Sequence, residues 1–370
     1  KLINNVLGWI VFAIASTVYL MTIEPTASFW DCGEFISSAY KLEVGHPPGA
    51  PFFMLTANLF TQLASDSATV AKMVNSMSAL FSGLTILFLF WSITHLARKI
   101  MVKDGEEASL GQMITIMGSG LVGALAYTFS DTFWFSAVEG EVYAYSSLFT
   151  AVVFWLILKW EAVADKPHAD RWIVLIAYLM GLSIGVHLLN LLCIPAIVLV
   201  YYYKKFPNPT MKGTLVALLV SFAIVALMMY GVVQGLVEVC GYFELLFVNV
   251  LGMPYNSGVF AYVIIVAGVL IWSIWETMRD EVHPTRMKIA FILSIVLIGI
   301  PFIGSGYVLA VILTAALSLY LFWSKKVDIK TLNTILVCLM VVVVGYSSYA
   351  LTLIRATADT PMNQNAPSDI

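Results

Sequence analysis

Long apolar stretches recur along this 370-residue chain, and they constrain its fold more than any other feature. Many approach the length of about 20 residues that a helix needs to cross the hydrocarbon of a bilayer. Alternating strand patterns are absent, and helices satisfy all their backbone hydrogen bonds within lipid. We therefore predict an all-α polytopic membrane protein. About eleven membrane-spanning helices fit the pattern, over residues 4–22, 72–97, 112–130, 142–160, 171–187, 188–203, 213–236, 257–277, 287–302, 306–323 and 331–354.

The composition agrees with this prediction and excludes an ordinary soluble domain. Hydrophobic residues make up 60% of the chain and charged residues 11%, and the mean hydropathy is +0.90. Soluble domains carry roughly a quarter charged residues. The net charge of −3 gives no reason to expect a nucleic-acid partner. The four cysteines have no metal-ligand spacing; Cys32 and Cys240 could pair, although two cysteines alone do not specify a disulfide.

The distribution of lysines and arginines predicts the orientation, because cytoplasmic loops collect basic residues. With the N-terminus inside, every one of the 19 lysines and arginines except Lys41, Lys72 and Arg355 falls in a cytoplasmic segment. Residues 23–71 then form the first external loop, in which the short apolar stretch 51–64 is expected to lie along the membrane surface as an amphipathic interfacial helix. We expect a transmembrane domain over 1–355 and the truncated start of an external region over 356–370.

The first external loop carries ionisable residues beside hydrocarbon, which is costly unless they pair, reach water or do chemistry. Asp31 and Glu34 are three residues apart, so a helix beginning near Trp30 would place both on one face. One carboxylate would serve as a general base and the other would orient it or the acceptor. The alternative is two solvated acids, one of them capping a helix over 33–42.

His46 lies in the same loop, in a proline- and glycine-rich turn over residues 46–51. Prolines fix φ and glycine permits close approach, so this turn should hold His46 in place. We predict that His46 donates a hydrogen bond to a phosphate or a substrate hydroxyl. Alternatively, it stabilises the turn.

Further candidates open the fourth predicted span, at Glu139, Glu141 and Tyr143. Acidic residues at a helix N-terminus are favoured by the helix dipole alone, so a purely structural role is the alternative. His187 and Asn190 lie at the predicted outward bend between two short helices. They are candidates for binding the donor, or they satisfy backbone groups freed by the bend.

Arg355 is the one arginine predicted on the outer side, and it closes the last span. A guanidinium binds phosphate oxygens bidentately, whereas the alternative is a helix-end arginine that extends to the interface. The interiors of the predicted spans lack Asp, Glu, Lys and Arg, and the polar chemistry gathers at one interface. This pattern favours an enzyme that acts on a lipid-borne substrate from outside.

Three blocks of the chain resemble a bacterial membrane family long known only as a domain of unknown function. This family is related to the animal protein O-mannosyltransferases that modify plexin and hepatocyte-growth-factor-type receptors. The first block is Phe29-Trp30-Asp31-Cys32-Gly33-Glu34-Phe35 followed by Gly45-His46-Pro47-Pro48-Gly49-Ala50-Pro51. The second and third are Glu139-Gly140-Glu141-Val142-Tyr143 and the segment 181–190. The first block is the most specific, and the second half of the chain is similar mainly in hydropathy.

The resemblance implies a GT-C glycosyltransferase fold, with a catalytic carboxylate in the first external loop and a polyprenyl-phosphate sugar as donor. It makes Asp31 the catalytic base and Glu34 its support. The activity implied is inverting transfer of a hexose, mannose by analogy, to Ser or Thr of an exported protein. It further implies a multi-pass protein of the bacterial inner membrane, with its active site facing the periplasm and an additional C-terminal region. No metal-ligand motif is assigned; a divalent metal is compatible with this chemistry but not required.

Two other functions fit part of the pattern. A lipid or sugar transporter would also use polar groups to guide a headgroup, but it would need an access path on the cytoplasmic side. A non-catalytic membrane subunit of an exported complex would use the first loop as a docking surface. Consumption of a sugar lipid by the purified protein separates an enzyme from both.

Overall fold

The structure is a computed structural model that describes residues 1–103, 105–304, 307–324 and 327–364. These residues form helices joined by short loops, and they contain no β-strand beyond one isolated bridge between Val44 and Asn363. The α-helices are α1 (Leu2–Met21), α2 (Cys32–Lys41), α3 (Pro51–Thr61), α4 (Val70–Met101), α5 (Leu110–Thr128), α6 (Asp131–Ala137), α7 (Val142–Val163), α8 (Arg171–Ile184), α9 (Ile194–Lys205), α10 (Met211–Ala226), α11 (Gly235–Leu245), α12 (Ser257–Met278), α13 (Pro284–Leu297), α14 (Tyr307–Trp323), α15 (Ile329–Tyr346) and α16 (Ala350–Ala356).

The described part of the chain divides into two compact units. One contains residues 1–193 and 344–364, and the other lies within residues 194–343. Residues 365–370, which end the predicted external region, lie outside the described residues. So do Ser305 and Gly306, where one predicted span begins, and Lys325 and Lys326, two of the basic residues predicted in cytoplasmic segments.

The structure confirms an all-α polytopic membrane protein. Eight helical stretches among the described residues are long and apolar enough to cross a bilayer, namely Leu2–Met21, Ser67–Met101, Leu110–Thr128, Val142–Val163, Leu188–Lys205, Met211–Val250, Ser257–Met278 and Ile329–Ala356. The three remaining predicted spans, over 171–187, 287–302 and 306–323, contain shorter helices that are not counted among these eight. These helices are α8, α13 and α14. The stretch predicted to lie along the membrane surface is helix α3.

The prediction was wrong about where one span ends at its C-terminal side. The span predicted over 213–236 continues without a break to Val250, as a helix of 40 residues. At 1.5 Å per residue it is about 60 Å long, roughly twice the hydrocarbon thickness. Two π-helical segments, Leu227–Gln234 and Leu246–Val250, lie within it. Glu238 and Glu244 therefore belong to this helix rather than to a loop.

Helix α4 is the centre of the first unit and packs against α1, α5 and α7. Buried apolar residues of α1 and α4, such as Val11 and Phe90, form one core cluster. The Tyr19 hydroxyl donates to the Thr128 carbonyl oxygen at 2.9 Å and ties α1 to the end of α5.

A second core cluster of the first unit supports the external loop. Phe35 of α2 and Phe53 of α3 pack with Met77 of α4 and Phe149 of α7. Helices α2 and α3 thus rest on the ends of the long helices through buried apolar side chains. Burial of such area favours folding by roughly 25 cal/mol per Å², so the segment carrying the candidate residues has its own apolar base.

The second unit contains a buried ionisable group that the sequence analysis did not anticipate inside a span. Glu276 of α12 is fully buried, and its Oε1 atom lies 2.8 Å from Arg286 Nη2 and accepts the Trp272 indole N–H at 2.9 Å. A buried carboxylate is tolerated when it is paired and hydrogen bonded in this way. Elsewhere in this unit, Glu244 is also buried and accepts the backbone N–H groups of Asn256 and Val259 at the start of α12.

Candidate active site

The segment between α1 and α2 is held by α4 and by the α6–α7 loop. The side-chain amide of Asn75 in α4 donates to the carbonyl oxygens of Glu24 and Thr26, at 2.8 and 3.0 Å. The Glu24 backbone N–H donates to the Val138 carbonyl oxygen at 3.1 Å. The chain therefore leaves α1 in a fixed direction and reaches Trp30, which is 89% exposed and has a φ of +58°.

Asp31 follows Trp30 and is the N-cap residue, immediately before the first residue of α2. The predicted helix over this region is confirmed to within a residue or two, but the proposed capping by a carboxylate is not: the Asp31 side chain makes no capping hydrogen bond within the described residues. Its side chain is 57% exposed, and Oδ2 lies 3.9 Å from His46 Nε2. The Asp31 carboxylate is therefore accessible to a substrate.

Glu34 lies one turn further along α2 and binds His46 through a single oxygen. Oε1 of Glu34 accepts the His46 backbone N–H at 2.5 Å and lies 3.0 Å from His46 Nδ1. A Cβ atom at Gly45 would come within 2.8 Å of this oxygen, so glycine at position 45 makes room for the carboxylate. Glu34 thereby fixes the turn and the imidazole of His46.

Asp31, Glu34 and His46 form the one group of potential metal ligands found among the described residues, with one ligand atom of each lying within 4.8 Å of the others. Carboxylate and imidazole ligands suit Mn²⁺ or Zn²⁺. Oε1 of Glu34 is already bound by His46, so the atoms not used by this pair are Glu34 Oε2, His46 Nε2 and the two Asp31 oxygens.

Glu139 and Glu141 lie behind the N-terminus of α2, and both are buried. Glu139 Oε2 accepts the thiol of Cys32 at 3.6 Å, and the Glu139 carboxyl also accepts a hydrogen bond from Ser28. Glu141 is the N-cap residue of α7, and its side chain accepts the Val142 backbone N–H at 3.1 Å. These acids therefore have a structural component, as the helix-dipole alternative stated.

Burial and neighbouring charge perturb this acidic group. Desolvation raises the pKa of Glu141 to about 7, with the charges of Asp31 and Glu139 acting in the same direction and that of His46 in the opposite one. Desolvation likewise raises the pKa of Glu139 and of the Cys32 thiol. Such perturbed carboxyl groups beside an exposed acid are typical of catalytic sites, although structural networks also produce them.

Tyr143 and His187 lie together beyond Glu141. Their rings are 5.4 Å apart, and the Tyr143 residue is half exposed. Nδ1 of His187 accepts the Leu189 backbone N–H at 3.1 Å, and desolvation lowers the pKa of this histidine. A neutral His187 with Nδ1 as acceptor carries its proton on Nε2, which is a hydrogen-bond donor.

Asn190 is fully buried, and the structure gives it a structural position. Its amide nitrogen donates to Ser183 Oγ at 2.9 Å, and its amide oxygen accepts the Thr150 hydroxyl at 3.3 Å. The side chain joins α7 and α8 across the bend through other side chains, rather than through backbone groups freed by the bend as the alternative interpretation stated. We therefore do not retain Asn190 among the residues that contact a substrate.

Arg355 contacts the first external loop from the opposite end of the sequence. Its Nε atom donates to the Leu42 carbonyl oxygen at 2.5 Å and its Nη2 atom to that of Lys41 at 3.3 Å. These carbonyls end α2, so the guanidinium caps that helix C-terminus. The predicted phosphate contact stays a prediction, and it would have to coexist with this role.

Three residues that were not predicted to belong to the site take part in this arrangement: Asn75, Cys32 and Gly45. A lone asparagine in an otherwise apolar span was a usable signal, because an amide inside a membrane helix requires a partner. Nothing in the sequence indicated that the Cys32 thiol would bind Glu139, and the disulfide considered for Cys32 is absent, since all four cysteines are free.

Comparison with known proteins supports the resemblance. Residues 31–210 match the family described as the protein O-mannosyl-transferase TMEM260 N-terminal domain. Protein O-mannosyl-transferase TMEM260 of Mus musculus is 28% identical over 174 residues, which are 47% of this chain and 22% of that protein. The Dictyostelium discoideum protein of that name is 25% identical over 187 residues, 49% of this chain and 21% of its own.

The chain thus aligns with about a fifth of the length of these curated relatives. No solved structure matches it. The matched region begins at Asp31 and includes α2, the His46 turn and the Glu139–Tyr143 block. Residues 31–210 of this chain are therefore similar in sequence to the N-terminal domain of the TMEM260 protein O-mannosyl-transferases.

Proposed function

We propose that this protein is a membrane glycosyltransferase that moves a hexose, mannose by analogy with its relatives, from a polyprenyl-phosphate donor to Ser or Thr of an exported protein. The observation that carries the proposal is the accessible Asp31 carboxylate beside the fixed His46–Glu34 pair. A base that is exposed and held near a hydrogen-bond donor can accept a proton from an incoming hydroxyl. The relatives are protein O-mannosyl-transferases by name, and this supplies the reaction class for the proposal.

In the proposed reaction, Asp31 takes the proton of the acceptor hydroxyl. The hydroxyl oxygen forms a bond to the anomeric carbon of the hexose, and the bond from that carbon to the lipid phosphate oxygen breaks. The electron pair of that bond leaves with the lipid phosphate. A single displacement inverts the anomeric configuration, as a GT-C enzyme would require. The leaving phosphate is stable as an anion, so neither a general acid nor a metal is obligatory.

The other candidates have supporting roles in this scheme. Glu34 positions His46 through two contacts to one oxygen, and the imidazole in turn lies beside Asp31. The Nε2 proton of His187 is a donor for a phosphate or sugar oxygen, with Tyr143 as its exposed neighbour. Buried Glu139 and Glu141 support the N-termini of α2 and α7 rather than reach the substrate.

The proposed location of the active site is the outer face of the bacterial inner membrane. The proposed partners are the sugar lipid, membrane lipid and an exported acceptor protein. We also propose that the protein can assemble into a larger complex. The orientation derived from the basic residues supports this placement. It follows that the donor reaches Asp31 laterally from the lipid while the acceptor approaches from water.

The test compares Asp31→Asn with Asp66→Asn in the full-length protein, reconstituted in nanodiscs with polyprenyl-phosphate mannose and a Ser/Thr peptide. Asp66 lies in the same external loop and caps the turn at Thr69, a bond that asparagine can also accept. We expect Asp31→Asn to reduce glycopeptide formation by about 10²-fold or more, with the melting temperature unchanged. Asp66→Asn should retain activity. Full activity of Asp31→Asn would refute the proposal.

A further inference from the structure

The first unit contains a cavity of about 700 Å³ that the proposed reaction does not use. It lies among α1, α4, α5, α7 and the start of α8, and its lining includes Trp9, Trp91, Trp155 and Trp172. Trp91 joins the aromatic wall on both sides, since its ring centroid lies 6.3 Å from that of Trp9 and 5.7 Å from that of Trp155. The cavity is therefore aromatic along one continuous wall.

Positive charge accompanies this wall. Lys1, Arg98 and Lys159 line the cavity together with His95, and none of the described lining residues is acidic. The Lys159 ammonium lies 4.8 Å from the Trp155 ring centroid. The nearby carboxylate of Glu161 is bound to Lys99. Cations without an acidic partner in the lining are suited to an anionic ligand.

Buried polar atoms without a partner in the described part of the chain also border the cavity. They include the indole nitrogens of Trp91 and Trp172 and the side-chain oxygen of Asn4. Leaving a buried polar group unsatisfied costs roughly 1–3 kcal/mol, so a ligand or water that satisfies it is favoured. The two indole N–H groups are donors and fit a phosphate oxygen, whereas the Asn4 oxygen is an acceptor and fits a water molecule or a headgroup hydroxyl.

The position of the cavity indicates where the ligand comes from. His95 and Arg98 lie near the C-terminal end of α4, whereas Asn75, which holds the loop of the candidate active site, lies near its N-terminal end. From Asn75 to His95 the helix rises about 30 Å, which is about the thickness of the hydrocarbon core. The cavity and the candidate active site thus lie at opposite interfaces of the bilayer.

We propose that this cavity binds the phosphate headgroup of an anionic membrane lipid, with Arg98 and Lys159 contacting the phosphate and the tryptophan wall contacting the glycerol and upper acyl chain. Tryptophans and basic residues are the side chains that anchor at a membrane interface. The mixed aromatic and cationic lining favours a lipid over a free phosphate, because a small soluble anion would leave the apolar tryptophan surface exposed to water. This binding site is separate from the proposed transfer reaction.

Native mass spectrometry of the full-length protein, released from nanodiscs that contain phosphatidylglycerol and phosphatidylcholine, tests the proposal. We expect retained phosphatidylglycerol in the wild type. It should fall about tenfold or more in the double variant Arg98→Gln, Lys159→Gln, because two charges beside the headgroup are lost. Lys103→Gln removes a charge from the loop after α4 without touching the cavity lining, and it should retain the lipid.

Two further measurements make the outcome independent of folding. Ala108→Trp leaves all charges in place but fills part of the cavity; we expect it to displace the lipid while the helical circular dichroism signal is preserved. Inorganic phosphate at millimolar concentration should leave the retained lipid unchanged. Equal retention in wild type and double variant, or complete displacement by inorganic phosphate, would overturn the lipid assignment.

Discussion

The Nδ1 atom of His46 lies 3.0 Å from Oε1 of Glu34, and the same oxygen accepts the His46 backbone N–H. One carboxylate oxygen therefore fixes both the backbone and the ring of this histidine. The opposite ring nitrogen, Nε2, lies 3.9 Å from Asp31 Oδ2. Glu34 thus fixes the imidazole that lies beside Asp31, and Asp31 is the most exposed of the three side chains.

The first prediction separates the structural and electrostatic roles of Glu34. Glu34→Ala leaves the His46 backbone N–H without its partner, which costs roughly 1–3 kcal/mol if that group stays buried. We expect a lower melting temperature and strongly reduced transfer. Glu34→Gln keeps an accepting oxygen and should restore most of the melting temperature while activity stays reduced. Thermal unfolding and glycopeptide assays of both variants provide the measurement; an equal loss of stability in both would contradict this assignment.

The sequence was sufficient to predict the helix carrying Asp31 and Glu34 and the turn that holds His46. Both depend on local signals: a helical stretch bounded by Gly and Pro, and residues spaced one turn apart. For the same reason the eleven predicted spans each contain a helix, because length and apolar content are local properties. The match with the family model also begins at Asp31.

The sequence could not predict contacts between distant residues. Arg355 is 313 positions away from Leu42, and the Cys32 thiol is 107 positions away from Glu139. Such pairings depend on how helices pack, which hydropathy does not encode. The helix that begins at Met211 extends past residue 236, which the sequence does not predict because a charged residue such as Glu238 is typical of a loop. In the structure, the backbone of Gly235 packs closely against that of Gly299, so this part of the helix contacts the segment that follows α13.

The second prediction concerns Arg355. Its guanidinium donates to two carbonyl oxygens at the end of α2, a geometry that the lysine ammonium reproduces poorly. Arg355→Lys should therefore lower stability by about 1.5–3 kcal/mol, the range for hydrogen bonds involving a charged group. Melting temperature and the KM for the sugar lipid are measured together. An unchanged melting temperature with a raised KM would instead support the phosphate contact predicted from the sequence.

The third prediction concerns metal removal. Asp31, Glu34 and His46 have ligand atoms within 4.8 Å of one another, but Oε1 of Glu34 is already bound by His46. We expect transfer to continue in excess EDTA, because the leaving phosphate needs no metal. Electron paramagnetic resonance should detect no stoichiometric Mn²⁺ on the wild type. Loss of activity in EDTA with recovery on addition of Mn²⁺ would show that the triad holds a metal.

The last prediction is a pH dependence of stability from Glu141. Desolvation raises the pKa of this buried carboxyl to about 7 in the folded protein, from an ordinary value of 4.5. The folded state therefore binds a proton between these values when the unfolded chain has lost it, and stability falls as pH rises from about 4.5 to 7. Glu141→Gln keeps an acceptor for the Val142 N–H but cannot ionise.

We therefore expect Glu141→Gln and the wild type to have similar melting temperatures at pH 4.5. At pH 8 the variant should be the more stable, by an amount on the order of 3 kcal/mol at most. Melting curves in detergent over this range measure the difference, with Glu106→Gln as a control that replaces an exposed carboxyl. A difference that stays constant with pH would mean that Glu141 remains ionised in the folded protein.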